Sequence, residues 1–89
     1  MNSQVIIDHV AEGWRRWGRN AGFEFIYRGV LMPDRVKLCS EPTFHEDNGL
    51  LFIETDHGRR VLIPSEVVLI DSIDTKAEHP EDEKGGHYA

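Results

Sequence analysis

Two apolar runs separated by a short break constrain the fold of this chain more than any other feature. Residues 59–71 read Arg-Arg-Val-Leu-Ile-Pro-Ser-Glu-Val-Val-Leu-Ile-Asp. Proline has no N–H to give to a sheet ladder and its ring fixes φ, so the Pro-Ser-Glu break predicts one 3₁₀-like turn between two strands. The second run, residues 67–70, is apolar without alternation, so both faces of that strand should be covered. A helix from elsewhere in the chain must supply the second cover.

Residues 4–17 supply an amphipathic helix of the required kind. At 100° per residue its apolar side chains fall within an arc of about 140°, and they are Ile6, Ile7, Val10, Ala11, Trp14 and Trp17. Asn2 or Ser3 can cap its N-terminus. Gly13 lies inside the helix at a cost of up to about 1 kcal/mol relative to alanine, which predicts a close approach by another backbone.

Five antiparallel strands are predicted after the helix. Alternation of apolar and polar residues places them at about residues 23–32, 35–41, 50–55, 59–63 and 67–72. The Glu-Asp-Asn-Gly segment at 46–49 predicts a hairpin, since asparagine and glycine tolerate positive φ, and Asp-His-Gly at 56–58 predicts a second reversal. The chain therefore forms one small domain over residues 1–73, of the α+β class and mainly β.

Residues 50–71 carry a resemblance to a known architecture. They read Leu-Leu-Phe-Ile-Glu-Thr-Asp-His-Gly-Arg-Arg-Val-Leu-Ile-Pro-Ser-Glu-Val-Val-Leu-Ile-Asp and resemble the closing strands of SH3-like, Sm-like or PRC-type barrels. The resemblance implies a small five-stranded barrel on which the N-terminal helix packs. Sm-like membership would imply RNA binding and a ring oligomer, and PRC-type membership would imply docking to a larger assembly. The earlier strands lack the spaced glycines of the Sm pattern, so neither function is carried over.

The net charge of −6 is shared between a nearly balanced domain and a short acidic tail. Residues 1–72 hold eight Lys or Arg against eleven acids, and residues 73–89 hold two against five. The tail, residues 74–89, has so little apolar content that burial cannot offset the entropy of ordering it, which predicts disorder. The balance in the domain leaves room for a local basic patch.

Chain length and cysteine content bound the class of protein. Eighty-nine residues predict a single domain with a thin core. The single cysteine, Cys39, cannot form an intramolecular disulfide, which indicates a reducing compartment and hence the cytoplasm. No apolar run reaches the roughly 18 residues of a membrane span, and the N-terminus lacks the features of a signal peptide. We therefore expect a cytoplasmic protein without a membrane partner.

The sequence carries no catalytic or cofactor signature. Cys39 has no nearby helix N-terminus to lower its pKa, Ser65 lacks the glycine-flanked elbow of a hydrolase, and no glycine-rich phosphate loop is present. We predict that the protein is not an enzyme and binds no cofactor. The five histidines lack the short spacing of metal ligands, so no metal site is predicted. A metal-binding accessory protein would require His45 and His57, both beside hairpin turns, to converge with a carboxylate.

The Trp-Arg-Arg-Trp-Gly-Arg-Asn segment at 14–20 is the local feature that most suggests binding. Arginine beside tryptophan can form a protein hot spot, or stack on bases and neutralise phosphates. Helical spacing places both tryptophans on the core side, which leaves the arginines available. With two arginines from the predicted fourth strand they could form a basic patch, and the predicted partner-binding residues are Arg15, Arg16, Arg19, Arg59 and Arg60.

Two functions follow from these features. The first is a small regulatory or accessory protein that docks onto a partner protein through the arginine face or an exposed sheet edge. The apolar strand at 50–53 would be the natural place for self-association or strand addition. The second is an SH3-like or Sm-like nucleic-acid-binding protein, whose affinity would fall steeply with salt.

Overall fold

The computed structural model describes residues 1–75. Within this range the chain forms one helix, 3₁₀ turns at Gly18–Asn20 and Pro64–Glu66, and six strands. The elements are α1 (Ser3–Trp17), β1 (Ala21–Tyr27), β2 (Asp34–Lys37), β3 (Thr43–Asp47), β4 (Leu50–Thr55), β5 (Gly58–Leu62) and β6 (Val67–Asp74). The prediction of a mainly β fold with one N-terminal helix is confirmed, and so is the 3₁₀ turn in the Pro-Ser-Glu break.

The strands form two separate antiparallel sheets rather than one closed barrel. Sheet A has the order β2-β1-β6 and sheet B has the order β3-β4-β5. The predicted five-stranded antiparallel barrel is therefore correct in its antiparallel, mainly β character, but the strands number six and do not close into one barrel. No ladder joins the two sheets in the described part of the chain, so β2 and β5 are both outer strands.

One core lies between α1 and the inner faces of both sheets. Its buried apolar side chains are Ile6, Val10, Ala21, Phe23, Phe25, Leu38, Leu51, Ile53, Leu62, Val67 and Ile70. Trp14 and Trp17 are half-buried and pack against this core, as the helical spacing predicted. Because the helix and both sheets contribute, no single layer of this small domain is independent of the others.

Helix α1 is fixed at its start by a cap and at its centre by a glycine. The backbone N–H of Val5 donates to Asn2 Oδ1 at 2.9 Å, which satisfies one of the free N–H groups of the first turn. A Cβ atom at Gly13 would lie 2.6 Å from Phe23 Cζ, so the missing side chain makes room for this ring. The predicted close approach is thus made by an aromatic ring and not by another backbone.

The first predicted strand, residues 23–32, is five residues too long at its C-terminal end. Strand β1 ends at Tyr27 because Gly29 adopts a φ of 76° and the N–H of Val30 donates to the Tyr27 carbonyl at 3.1 Å. Leu31 in the loop that follows is 99% exposed. The apolar alternation beyond Tyr27 therefore belongs to a surface loop and not to the core.

Strand β3 is absent from the sequence prediction, which instead extended the second strand to residue 41. Phe44 is the only residue of β3 that is partly buried, so the strand has almost no apolar alternation to reveal it. The hairpin predicted at 46–49 is nevertheless confirmed, with φ values of 51° at Asn48 and 79° at Gly49. The turn residues thus located a hairpin whose first strand was not recognised.

Strand β6 accommodates its continuous apolar run by a β-bulge. Its register against β1 advances by one extra residue, Val68. The bulge resets the alternation, so Val67 and Ile70 are both buried while Val68 and Leu69 are 56% and 51% exposed. The expectation that both faces of this strand are covered is wrong for these two residues.

The C-terminal part of the domain reaches slightly further than predicted. Strand β6 continues to Asp74, which pairs with Ala21, instead of ending at residue 72. The predicted disordered tail lies, for residues 76–89, outside the described residues. Over residues 1–75, no helix combines the length and the apolar character needed to cross a membrane.

Candidate partner-binding clefts

A basic cleft opens where β2 of sheet A faces β5 of sheet B. It has a volume of about 350 Å³, and its floor includes Leu38 and Ile53. Its rim is rich in cationic groups, namely Arg35, Lys37, Arg59 and Arg60, together with His57. This feature, called the basic cleft below, brings two of the predicted partner-binding arginines together with two cations from β2.

Arg60 is held in place by a polar cluster at one end of the basic cleft. Its Nη1 lies 3.2 Å from Asp34 Oδ1, and the Tyr27 hydroxyl donates to Asp34 Oδ2 at 3.0 Å. Burial raises the pKa of the Tyr27 phenol, and the hydrogen bond and negative charge of Asp34 raise it further. Arg60 therefore serves mainly to tie β5 to the start of β2, since its charge is partly neutralised.

Lys37 and Arg59 differ from Arg60 because no ion pair joins them to a carboxylate within residues 1–75. The Arg59 guanidinium lies over the Phe52 ring, 5.3 Å from its centroid. This cation–π contact holds the side chain without cancelling its charge. Arg35, by contrast, is bonded to Glu24 through Nη2 at 2.7 Å. Lys37 and Arg59 are thus the two cationic cleft residues without an ion pair in residues 1–75, and Glu54 is the cross-strand partner of Arg59 in the β4–β5 ladder.

The arginines of the helical segment occupy a different region. Arg15 forms an ion pair with Glu12, Arg16 lies over the Trp17 ring at 5.2 Å, and Arg19 is exposed in the first 3₁₀ turn. None of the contacts described for residues 1–75 connects these three side chains to Arg59 or Arg60. The structure thus distributes the predicted arginine set over two surfaces.

The two histidines considered as metal ligands do not form a ligand set. His45 lies on β3 with its ring 5.8 Å from that of Phe52, while His57 is in the turn between β4 and β5. In the part of the chain that the structure describes, no three His, Cys, Asp or Glu side chains are grouped so that they could hold a metal ion. The convergence with a carboxylate that a metal site would need is not found there.

Strand 50–53, predicted as an exposed edge, lies at the centre of its sheet. It belongs to β4, which pairs with β3 on one side and β5 on the other. Its backbone groups are therefore occupied, and the prediction that it offers an edge for strand addition is wrong. The outer strands are β2, β3, β5 and β6, of which β6 is the longest at eight residues.

A second groove runs between α1 and the outer side of β6. It has a volume of about 620 Å³ and is lined by residues of both elements, including Val5, Asp8, His9, Trp17, Asp71 and Ser72. His9 Nε2 and Ser72 Oγ are in hydrogen-bonding contact and link the helix to the strand. This feature is called the α1–β6 groove below.

Sequence reasoning missed two cations of the basic cleft and the whole of the α1–β6 groove. The alternation of polar and apolar residues over 35–38 predicted that Arg35 and Lys37 are exposed, but it could not show that β2 faces β5. The position of β6 at an edge is likewise a property of the strand order. No family model, curated protein or solved structure matches this chain, so the geometry and chemistry of these two clefts carry the functional argument.

Proposed function

We propose that this chain is a small, non-enzymatic docking protein that binds an acidic, extended segment of a partner protein in the basic cleft. The observation that supports the proposal is that Lys37 and Arg59 line a concave surface and form no ion pair within residues 1–75. The whole chain has a net charge of −6, so the cleft is a local exception. Such a concavity concentrates positive potential and favours the approach of carboxylates.

The position of β2 as an outer strand of sheet A favours an extended partner segment. The N–H of Leu38 donates to the Ala21 carbonyl at 3.2 Å, so Leu38 turns its backbone groups toward β1. Because this orientation alternates along a strand, the neighbouring Lys37 turns its backbone N–H and C=O toward the cleft. An incoming strand can therefore bond to the backbone of β2 while its carboxylates meet Lys37 and Arg59.

The same geometry is less suited to nucleic acid. Polyanion binding depends on neutralising many phosphates and on aromatic faces for the bases. The basic cleft offers two cations without ion pairs in residues 1–75, and the Phe52 ring, which is not among the residues lining the cleft, is covered by Arg59. A short acidic peptide requires no more than these groups, which is why a protein partner is proposed.

The proposal is tested by nuclear magnetic resonance titration of the full-length chain with a short peptide that alternates glutamate and alanine. We expect shifts at Lys37, His57 and Arg59, and an affinity that falls as salt is added. Arg59→Glu should weaken binding about tenfold or more, since a charge-assisted hydrogen bond contributes roughly 1.5–3 kcal/mol. Arg19→Glu makes the same charge change on an exposed residue outside the cleft and should have little effect.

Two results would overturn the proposal. If Arg19→Glu and Arg59→Glu weaken the peptide equally, binding follows net charge and not the cleft. If a single-stranded oligonucleotide binds at Lys37 and Arg59 while the acidic peptide does not, the cleft is a nucleic-acid site.

A further inference from the structure

We infer that the α1–β6 groove is a second docking site, which accepts an extended basic segment of a partner protein as an added strand on β6. This inference does not depend on the basic cleft, because the two sites lie on different outer strands of sheet A. Three features carry it: the backbone polarity of β6, the wall that α1 forms beside it, and the sign of the charges around it.

Part of the β6 backbone faces the groove without a strand partner among residues 1–75. The bond between Leu38 N and the Ala21 carbonyl shows that Ala21 faces β2. The direction of the backbone N–H and C=O groups alternates along β1. Those of Glu24 therefore point toward β6 and exchange hydrogen bonds with its partner there, Asp71. The residues on either side of Asp71 must then direct their N–H and C=O groups away from β1.

These outward residues are Ile70 and Ser72, and among the described residues no further strand of sheet A lies beyond them. An outer strand of this length is a template for another chain unless it is blocked. At the start of β6, the Met1 nitrogen donates to the Val67 carbonyl at 3.2 Å and so occupies that end of the strand. Within residues 1–75 no backbone bond occupies the outward groups of Ile70 and Ser72, so these two residues are available to an added strand.

Helix α1 forms a wall that would position the added strand. His9 contacts Ser72 and so fixes the separation of the helix from the strand. Val5, which is 48% exposed, and the half-buried Trp17 supply apolar surface on the groove side of the helix. An extended segment can therefore bond to β6 through its backbone while alternate side chains contact the helix.

The charges around the groove select a basic segment. Asp8 and Asp71 both line it, and neither forms an ion pair within residues 1–75. Of the other charged residues there, Glu12 is paired with Arg15, and Arg16 lies over Trp17 and keeps its charge, so three carboxylates and one guanidinium leave the groove with a net negative charge. A second copy of β6 would place one acidic edge beside another, and like charges across strands are destabilising. A segment with lysine or arginine at alternate positions can bond to the β6 backbone and place its cationic side chains beside the carboxylates of Asp8 and Asp71.

The inference is tested with the full-length chain and a peptide that alternates lysine and valine. We expect chemical shift changes at Ile70, Ser72 and the facing residues of α1, and slower solvent exchange of the Ile70 and Ser72 amides. Backbone N-methylation at every second peptide residue gives two isomeric probes. The isomer methylated on the side facing β6 should lose binding, whereas the other isomer should retain it.

The charge requirement is tested with Asp71→Asn, which should weaken the lysine peptide about two- to fivefold, the range for an exposed ion pair. Asp47→Asn makes the same change on exposed β3 and should leave affinity unchanged.

Equal binding of the two methylated isomers would overturn the inference, as would shifts confined to the basic cleft or a dimer formed through β6. If only the acidic peptide binds, at Lys37 and Arg59, the proposed function stands and this inference fails.

Discussion

Gly13→Ala provides a sensitive test of how α1 packs on sheet A, because two effects of the substitution change the free energy of unfolding in opposite directions. In an exposed helix the substitution would stabilise the fold by about 1 kcal/mol, since glycine has the poorer helix propensity. Here the new Cβ would lie 2.6 Å from Phe23 Cζ and 2.7 Å from Phe23 Cε1. Carbon atoms in contact normally stand about 3.5–4.0 Å apart, so the ring must move by roughly 1 Å.

Phe23 has little freedom to make this movement. Its side chain is fully buried, and its ring lies 6.4 Å from that of Phe25 and 6.3 Å from that of His9. Overpacking of a closed core costs about 1–3 kcal/mol, and the overlap with two ring atoms places this case near the upper end. After subtraction of the propensity gain, we expect Gly13→Ala to lower the free energy of unfolding by about 1–2 kcal/mol.

The assay is urea unfolding of four proteins: wild type, Gly13→Ala, Phe23→Leu and the double variant. Phe23→Leu removes the ring atoms that the new Cβ would meet. In that background Gly13→Ala should stabilise the fold by about 1 kcal/mol, which reverses its effect in the wild type. The packing argument would be refuted if Gly13→Ala stabilised the wild type, or if its effect were the same in both backgrounds.

Two further predictions concern the helix cap and the cluster at Tyr27. Asn2→Ala removes the acceptor of the Val5 N–H and should cost about 1 kcal/mol in urea unfolding, while Asn2→Asp keeps an acceptor and should cost much less. Because the pKa of Tyr27 is raised in the folded state, its contribution to stability is complete below the ordinary pKa of about 10 and is lost as pH rises above it. Wild type should therefore lose more stability than Tyr27→Phe between about pH 9 and pH 12, and equal losses would contradict this assignment.

Local signals in the sequence were sufficient for several elements of the fold. Helical periodicity gave α1 to within one residue at its N-terminus, and it placed Trp14 and Trp17 against the core. The asparagine and glycine at 48–49 gave the β3–β4 hairpin because their backbone preferences are intrinsic to the residues. These features depend on neighbours in the chain and therefore leave a readable pattern.

Other features depend on contacts between distant segments and left no such pattern. The bulge at Val68 is defined by the register of β6 against β1, and the central position of β4 is defined by strand order. The same is true of the basic cleft, since Lys37 and Arg59 are brought together only when β2 faces β5. The sequence therefore marked Arg59 as a binding residue without indicating its neighbours.

The gap between sheets A and B has a consequence for motion. Because no backbone ladder joins β2 to β5 in the described part of the chain, the basic cleft can widen without breaking a strand pairing. The ion pair between Arg60 and Asp34 and the hydrogen bond from the Asp56 N–H to Ser40 Oγ are polar links on this side that limit such an opening. Partial opening on this side is therefore a low-energy fluctuation compared with global unfolding. A partner strand inserted there would bridge the two sheets and suppress that fluctuation. Binding would therefore fill the basic cleft and also make the domain more rigid.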